Sequence, residues 1–252
     1  MSGEVRLARE GPLALVTISQ PARRNAVSQA MWDAIPGVFA EAASARAVVL
    51  AGEGEHFAAG ADITEFEEAY RDRASAEAAL DRLSAAMGAV AACPVPVIAA
   101  VRGACVGGGC GLALACDLRV AGPDARFGIT PAKLGLAYAL SDTKRLVDAV
   151  GFSAAKDVLF SGRIIGAEEA LCMGLVDRVV GDPLAEARAY AAGLAANAPA
   201  SLRAAKAMVG RIASGQSADD EDTRALYLDL VEGPEFREGY AAFLEKRRPD
   251  FS

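Results

Sequence analysis

The chain reads as an α/β core that runs into a helical tail, and three observations predict that division. Two glycine turns, FAAGAD at 57–62 and GGGCG at 107–111, each follow an apolar run and precede a helical pattern. Strand and helix signals alternate as far as Ile129. From Ser153 onward the pattern is mostly helical. The apolar share of 53% is ample for a core at this length.

Each element has its own signal. The run LALVTI at 13–18 suits a strand. Residues 28–43 form an amphipathic helical pattern with Ser28 as the N-cap. A buried strand is expected over 46–50. The segment 65–92 is Ala-rich and helical, charged through its first half, and closed by Pro94-Val95-Pro96. Residues 97–101 read as the next strand and 111–115 as a short buried helix. Short strands follow over 118–121 and 125–129. Helices are expected over 143–150, 153–160 and 167–173, then a last strand over 177–180. Asp182-Pro183 is an N-cap and N1 pair opening a helix to Ala196. Helices over 201–213, 218–231 and 235–246 complete the tail, the last two parted by Gly233-Pro234.

Composition narrows the functional classes. Net charge is −7, and the longest basic cluster is Lys246-Arg247-Arg248, so nucleic acid is not an expected partner. Residues 1–10 lack the apolar run of a signal peptide. No apolar stretch reaches the roughly 18 residues of a membrane span. A soluble, cytoplasmic protein that engages no membrane is the expectation. The cysteines, at positions 93, 105, 110, 116 and 172, show no CxxC pair, and His56 is the only histidine, so no metal site is expected. All five thiols are expected to be reduced and mostly buried.

The glycine turns carry the chemistry. A strand-turn-helix corner exposes backbone N–H groups that no helical bond satisfies. Two such corners aimed at one point would hold a developing oxyanion. A dinucleotide site is not indicated, because Leu112 stands where GxGxxG needs its third glycine.

Together FAAGADI and GGGCGLALACD resemble the crotonase (enoyl-CoA hydratase/isomerase) superfamily. The likeness runs from PARRNA at 21–26 to FLEKRRPDF at 243–251. It implies a repeated ββα spiral core over 1–195 that carries an acyl-CoA site. Helices over 196–252 would cover that site and build a homotrimer or a dimer of trimers. The N–H groups of Ala61 and Gly108 would be the oxyanion donors on a thioester carbonyl. Coenzyme A would enter only as part of the substrate, with no separate cofactor. By the same resemblance, Arg24 lies in the CoA-phosphate segment, and the Ala59 carbonyl meets the adenine. Phe243 and Lys246 match a C-terminal CoA-binding pair.

Two expected residues are missing. Hydratases of this superfamily carry one glutamate where this chain has Gly111 and another where it has Pro131. Neither side chain here can move a proton, and hydration needs a base and an acid at the substrate. The stretch TPAKLGLAYAL at 130–140 is instead similar to methylmalonyl-CoA decarboxylase, a superfamily member, which places Tyr138 on that enzyme's active-site tyrosine. That decarboxylase has histidine at Ala61 and glutamate at Gly111. Decarboxylation or double-bond isomerisation is therefore the expected chemistry. A hydratase with replacement groups and a non-catalytic CoA-thioester binder are the alternatives. Asp142 is the second candidate polar group, with N-capping of the following helix as its structural role. Asp62 and Asp117 read as structural. So does His56, which cannot serve a protease-type triad without a nucleophile on its face. Glu65, Glu67 and Glu68 read as a solvated acidic face.

Overall fold

In the computed structural model, which describes residues 3–251, the chain opens with an antiparallel hairpin. Strands β1 (Glu4–Glu10) and β2 (Leu13–Ser19) meet across Gly11, whose φ of 61° is costless only for glycine. β2 is the expected strand. β1 was not foreseen, because its half-buried alternation is interrupted by charged residues.

Helix α1 (Gln29–Ala42) starts where expected. The Ser28 side chain accepts from the Met31 N–H, a cap worth about 1 kcal/mol. Its buried stripe is Met31, Trp32, Ile35 and Phe39. At helical spacing these contribute roughly 1.5–3 kcal/mol each by burial. β3 (Ala47–Gly52) follows. The expected single helix over 65–92 is two: α2 (Phe66–Ala69) and α3 (Arg73–Ala91). Asp72 breaks them by capping α3 through the Ser75 N–H.

Next come β4 (Val97–Val101), β5 (Ala104–Val106) and α4 (Gly108–Ala115). They are followed by β6 (Leu118–Ala121), β7 (Arg126–Gly128) and α5 (Leu140–Ser161). β4-β5-α4 and β6-β7-α5 each run strand, short strand and helix, the ββα repeat of the resemblance. The large sheet has the order β1-β2-β3-β4-β6-β9 and the small one β5-β7-β8, where β8 is Ile165–Gly166 and β9 is Arg178–Val179. From β2 onward the large sheet is parallel. The isolated bridges Val27 to Ala61 and Ala58 to Cys105 add the first glycine turn to the small sheet's layer.

Parallel strands buried on both faces explain the unbroken apolar runs of β3 and β4. Val48, Leu50, Val97 and Ala99 face a cluster with Trp32, Phe39, Met87 and Val90. Val49, Ala51, Ile98 and Ala100 face the opposite way, toward Ala187, Ala191 and Ala195. α6 (Ala167–Cys172) lies between the last two strands in sequence, and α7 (Pro183–Ala195) covers the second face. Asp182 caps α7 through the Leu184 and Ala185 N–H groups, as its Asp-Pro signature predicts.

The two helices expected over 143–150 and 153–160 form one element, α5, bent at Gly151 with φ 77° and ψ 167°. Its start at Leu140 lies three residues before the expected one. The tail consists of α8 (Pro199–Ala213), α9 (Glu221–Glu232) and α10 (Pro234–Glu245). Lys206 pins α8 to the core through Asp117, at 2.7 Å, and the Val95 carbonyl, at 3.0 Å. Arg46 holds the chain end by donating to the Phe251 carbonyl. No helix among the described residues is long and apolar enough to cross a membrane.

Candidate active site

The two glycine turns meet. Val27 and Ala61 form a parallel bridge in which Val27 N–H donates to the Gly60 carbonyl and Asp62 N–H donates to the Val27 carbonyl. That pattern spends the groups on either side of Ala61 and turns its own N–H the other way. Gly108 opens α4, so its N–H has no partner within the helix. Among the described residues neither N–H meets a backbone acceptor. The two residues lie close together: a Cβ on Gly108 would lie 3.8 Å from the Ala61 nitrogen. The positive end of α4 adds to the field at this point. Gly107 makes the corner possible with φ 55° and ψ −119°, a backbone that side chains disfavour.

Ala61 and Gly108 both line a cavity of about 300 Å³. Its walls are mostly apolar: Phe66 from α2, Tyr70 just after it, Leu80, Leu83 and Met87 from α3, and Leu134 and Leu136 from the segment before α5. Tyr138 and Asp142 line it as well, so the four residues predicted as catalytic converge: Ala61, Gly108, Tyr138 and Asp142. Gly111 and Pro131 also fall here, Gly111 beneath the Tyr138 hydroxyl and Pro131 on the wall. No glutamate lines this cavity among the described residues. Glu65 is spent elsewhere, its Oε2 accepting from the Gln29 N–H at the start of α1.

The Tyr138 hydroxyl is buried and without a hydrogen-bond partner. Burial, reinforced by Cys110 and Asp142, holds its pKa well above the ordinary phenol value. It is therefore a hydrogen-bond donor across the physiological range. Leaving such a group unpaired in a native protein costs about 1–3 kcal/mol.

Asp142 requires a correction. It does not cap α5; it lies in the first turn, with Ala139 as the N-cap residue. Its Oδ1 accepts from Arg145 Nη1 at 2.7 Å, and its side chain is 4% exposed. Burial raises its pKa, and Arg145 opposes that shift. The capping expectation failed because the helix starts earlier than its apolar pattern suggests.

Other readings hold as structural. Asp62 accepts from the Thr64 N–H and from Arg23, and despite partial burial these bonds keep its carboxyl below the usual range. Asp117 accepts from the Val97 N–H. His56 Nδ1 accepts from the Ala104 N–H. Cys93, Cys105, Cys110 and Cys116 are buried and Cys172 is exposed at the end of α6, in keeping with mostly buried thiols. Burial pushes the Cys105 and Cys116 thiols up, so neither is a poised nucleophile.

The residues expected at coenzyme A divide into two groups. Ala59 lines the cavity, and its N–H donates to the Arg24 carbonyl at 2.9 Å. Arg24 and Asn25 both have positive φ, 52° and 56°. Asn25, fully buried, holds this bend by donating to the Glu53 and His56 carbonyls. Arg24 is thereby presented to a second, more open cavity with Arg102 and Arg126, and Val106 lines both cavities. Phe243 and Lys246 are not brought to this place within one chain. Phe243 is 81% exposed and lines an apolar groove with Tyr227, Phe236 and Tyr240, while Lys246 ends α10 in a left-handed conformation.

Sequence reasoning missed Met87 and Arg145. Leu80, Leu83 and Met87 recur at helical spacing on α3, a signal indistinguishable from ordinary core.

The sequence profile of the enoyl-CoA hydratase/isomerase family matches residues 8–252. A Thermus thermophilus protein bearing an enoyl-CoA hydratase name is 41% identical, covering 96% of this chain and 98% of its own. The 2,3-dehydroadipyl-CoA hydratase of Escherichia coli is 35% identical, with 98% of both chains covered. The solved structure of an enoyl-CoA hydratase/isomerase family protein from Hyphomonas neptunium superposes with a TM-score of 0.96 at 45% identity, covering 98% of this chain and 97% of that one. With the fold, the paired N–H groups and these relatives in agreement, the chain belongs to the enoyl-CoA hydratase/isomerase family and has the crotonase fold.

Proposed function

We propose that this enzyme forms a thioester enolate by decarboxylating an acyl-CoA that carries a carboxylate on its α-carbon. The observation that carries the reading is the Tyr138 hydroxyl, buried and unpaired beside Gly111. The substrate's thioester carbonyl accepts from the Ala61 and Gly108 N–H groups. Tyr138 donates to the substrate carboxylate and orients it out of the enolate plane. The bond between the α-carbon and the carboxylate carbon then breaks. Its electron pair passes into the enolate, whose oxygen the two N–H groups hold, and carbon dioxide leaves. A proton returned to the α-carbon completes the reaction, from Tyr138 or from water. Apolar walls favour the loss of charge from the carboxylate.

Isomerisation of a 3-enoyl-CoA is the second reading, favoured by Asp142 on the cavity wall. One carboxylate would take the C2 proton and return it at C4. The names of the relatives weigh toward hydration; Gly111 and Pro131 weigh against it in this chain.

Arg24, the Ala59 carbonyl and the neighbouring cavity are proposed to hold the nucleotide end of coenzyme A. Phe243 and Lys246 would reach it from a second copy in a homotrimer or dimer of trimers. The exposed side chains of Phe236, Tyr240, Phe243 and Leu244 support such an assembly.

The test is a mass-spectrometric screen of the purified protein against 2-carboxyacyl-, 3-enoyl- and 2-enoyl-CoA thioesters. Loss of carbon dioxide supports the first reading. An unchanged mass with a shifted double bond supports the second, and gain of water supports hydration. Binding with no turnover of any class would leave a CoA-thioester binder.

A further inference from the structure

We propose that Trp32 is a positioning residue of the oxyanion hole: its indole backs Gly108 and sets the spacing of the Gly108 and Ala61 N–H groups. The inference rests on the role given to those two groups above.

One short stretch of chain reaches both donors. Val27 is laced to the first glycine turn on either side of Ala61. Ser28 then caps α1, and the Trp32 N–H donates to the Ser28 carbonyl at 2.9 Å, so Trp32 lies in the first turns of the helix. Its side chain runs to the second glycine turn. A Cβ on Gly108 would lie 3.0 Å from Trp32 Cζ2 and 3.2 Å from Cη2, against 3.8 Å from the Ala61 nitrogen. The Gly108 Cα is one bond from that point, which puts it within about 4.5 Å of the ring, in contact. Trp32, Val27, Ala61 and Asp62 also line one narrow cleft of about 20 Å³. The start of α1 is therefore a common frame for the two donors. It holds Ala61 through backbone bonds and Gly108 through a ring.

The ring is suited to this. It is 2% exposed and packs in the core with Met31, Ile35 and Phe39. A buried planar ring in a close-packed core has no flexible end to swing aside. Its Nε1–H finds no hydrogen-bond partner among the described residues, a cost of about 1–3 kcal/mol that Phe or Leu would avoid. What the indole adds is reach. Cζ2 and Cη2, the atoms at Gly108, lie beyond the end of a phenyl ring on the same Cβ. Core packing alone does not account for tryptophan here, and contact with Gly108 does.

Two measurements test this, and neither needs turnover. The first uses butyryl-CoA isotopically labelled at the thioester carbonyl carbon. This saturated thioester has no 2-carboxylate to lose and no double bond to move or hydrate. Difference infrared spectroscopy reads the bound carbonyl stretch, which falls as donors engage the oxygen. Trp32→Phe should lose roughly half of the wild-type shift, since one of two donors loses its aim. Phe39→Leu, a truncation further along the same buried stripe, should keep the shift whole. Equal shifts in wild type and Trp32→Phe, or equal losses in the two variants, would overturn the positioning role. No shift in the wild type would end the oxyanion-hole reading, and this inference with it.

The second is a double-mutant cycle in Tm. Gly108→Ala puts a methyl group against the ring, and on Trp32→Phe that methyl gains room. The substitution should therefore be better tolerated on Trp32→Phe than on the wild type, by several degrees. Additive changes would show that the ring does not press on Gly108, and would overturn the proposal.

Discussion

The Tyr138 oxygen lies 2.9 Å from the point where a Cβ on Gly111 would stand. Two positions far apart in sequence thus meet at one point, and the polar group found there is a donor hydroxyl. A carboxylate can take a proton at neutral pH, whereas this phenol can only give one. A phenol at this point therefore suits different chemistry from a carboxylate.

Tyr138→Phe removes one oxygen and little volume. We expect kcat to fall roughly 10–10³-fold, the scale of one well-placed polar group. Stability should hold or rise, because a buried unpaired hydroxyl is removed. Asp142→Asn should cost less activity. If the Asn variant is inactive while the Phe variant turns over normally, Asp142 is the proton-transfer group and isomerisation becomes the better reading.

Hydration of crotonyl-CoA should be very slow. Each missing acid or base removes roughly 10²–10⁴-fold, and less in total if the two act as a unit. A rate typical of the related hydratases, measured by loss of enoyl absorbance, would show that other groups replace Gly111 and Pro131.

Asp142 should make stability depend on pH in a stated direction. Burial raises its pKa above the reference 3.8, so the native state holds the proton more tightly than the unfolded state. Its contribution is full below that reference and is lost as pH climbs through the raised native value. The stability of wild type relative to Asp142→Asn should therefore fall with rising pH across this window. A flat difference in paired thermal melts would place Asp142 in solvent.

Assembly and ligand binding should be linked. Light scattering should report a trimer or a dimer of trimers. Calorimetry should show a CoA thioester site that weakens with salt if Arg24 holds a phosphate as proposed. Phe243→Glu puts a charge on the exposed α10 face, and it should dissociate the assembly and weaken thioester binding together. A wild-type monomer with undiminished binding would refute the shared site.

Much of this was legible in the sequence because it was written in local signals. Ser28, Asp182 and Gly233-Pro234 mark their helix ends by short-range chemistry, and β4 is a run of buried residues. The glycine turns, too, announced a close backbone approach. What stayed hidden depends on contacts across the chain. β5 and β8 are two or three residues long and exist only because β7 lies between them. Met87 has the spacing of any core methionine, and only the fold places it against Gly111. Asp142 looked like a cap because its pairing with Arg145 and the earlier start of α5 leave no mark on periodicity.

The Val27–Ala61 bridge has a mechanical consequence. Residues 24–27 and 59–62 are laced by three backbone bonds: Ala59 N–H to Arg24, Val27 N–H to Gly60, and Asp62 N–H to Val27, at 2.9, 2.7 and 3.0 Å. Arg24 is at one end of that lacing and the Ala61 donor at the other. A phosphate pulling on Arg24 would thus tension the same ladder that aims the N–H at the carbonyl. Energy gained at the nucleotide end would then be used to stiffen the reacting end. A thioester cut back to its pantetheine arm should turn over more slowly once bound, as well as bind less tightly.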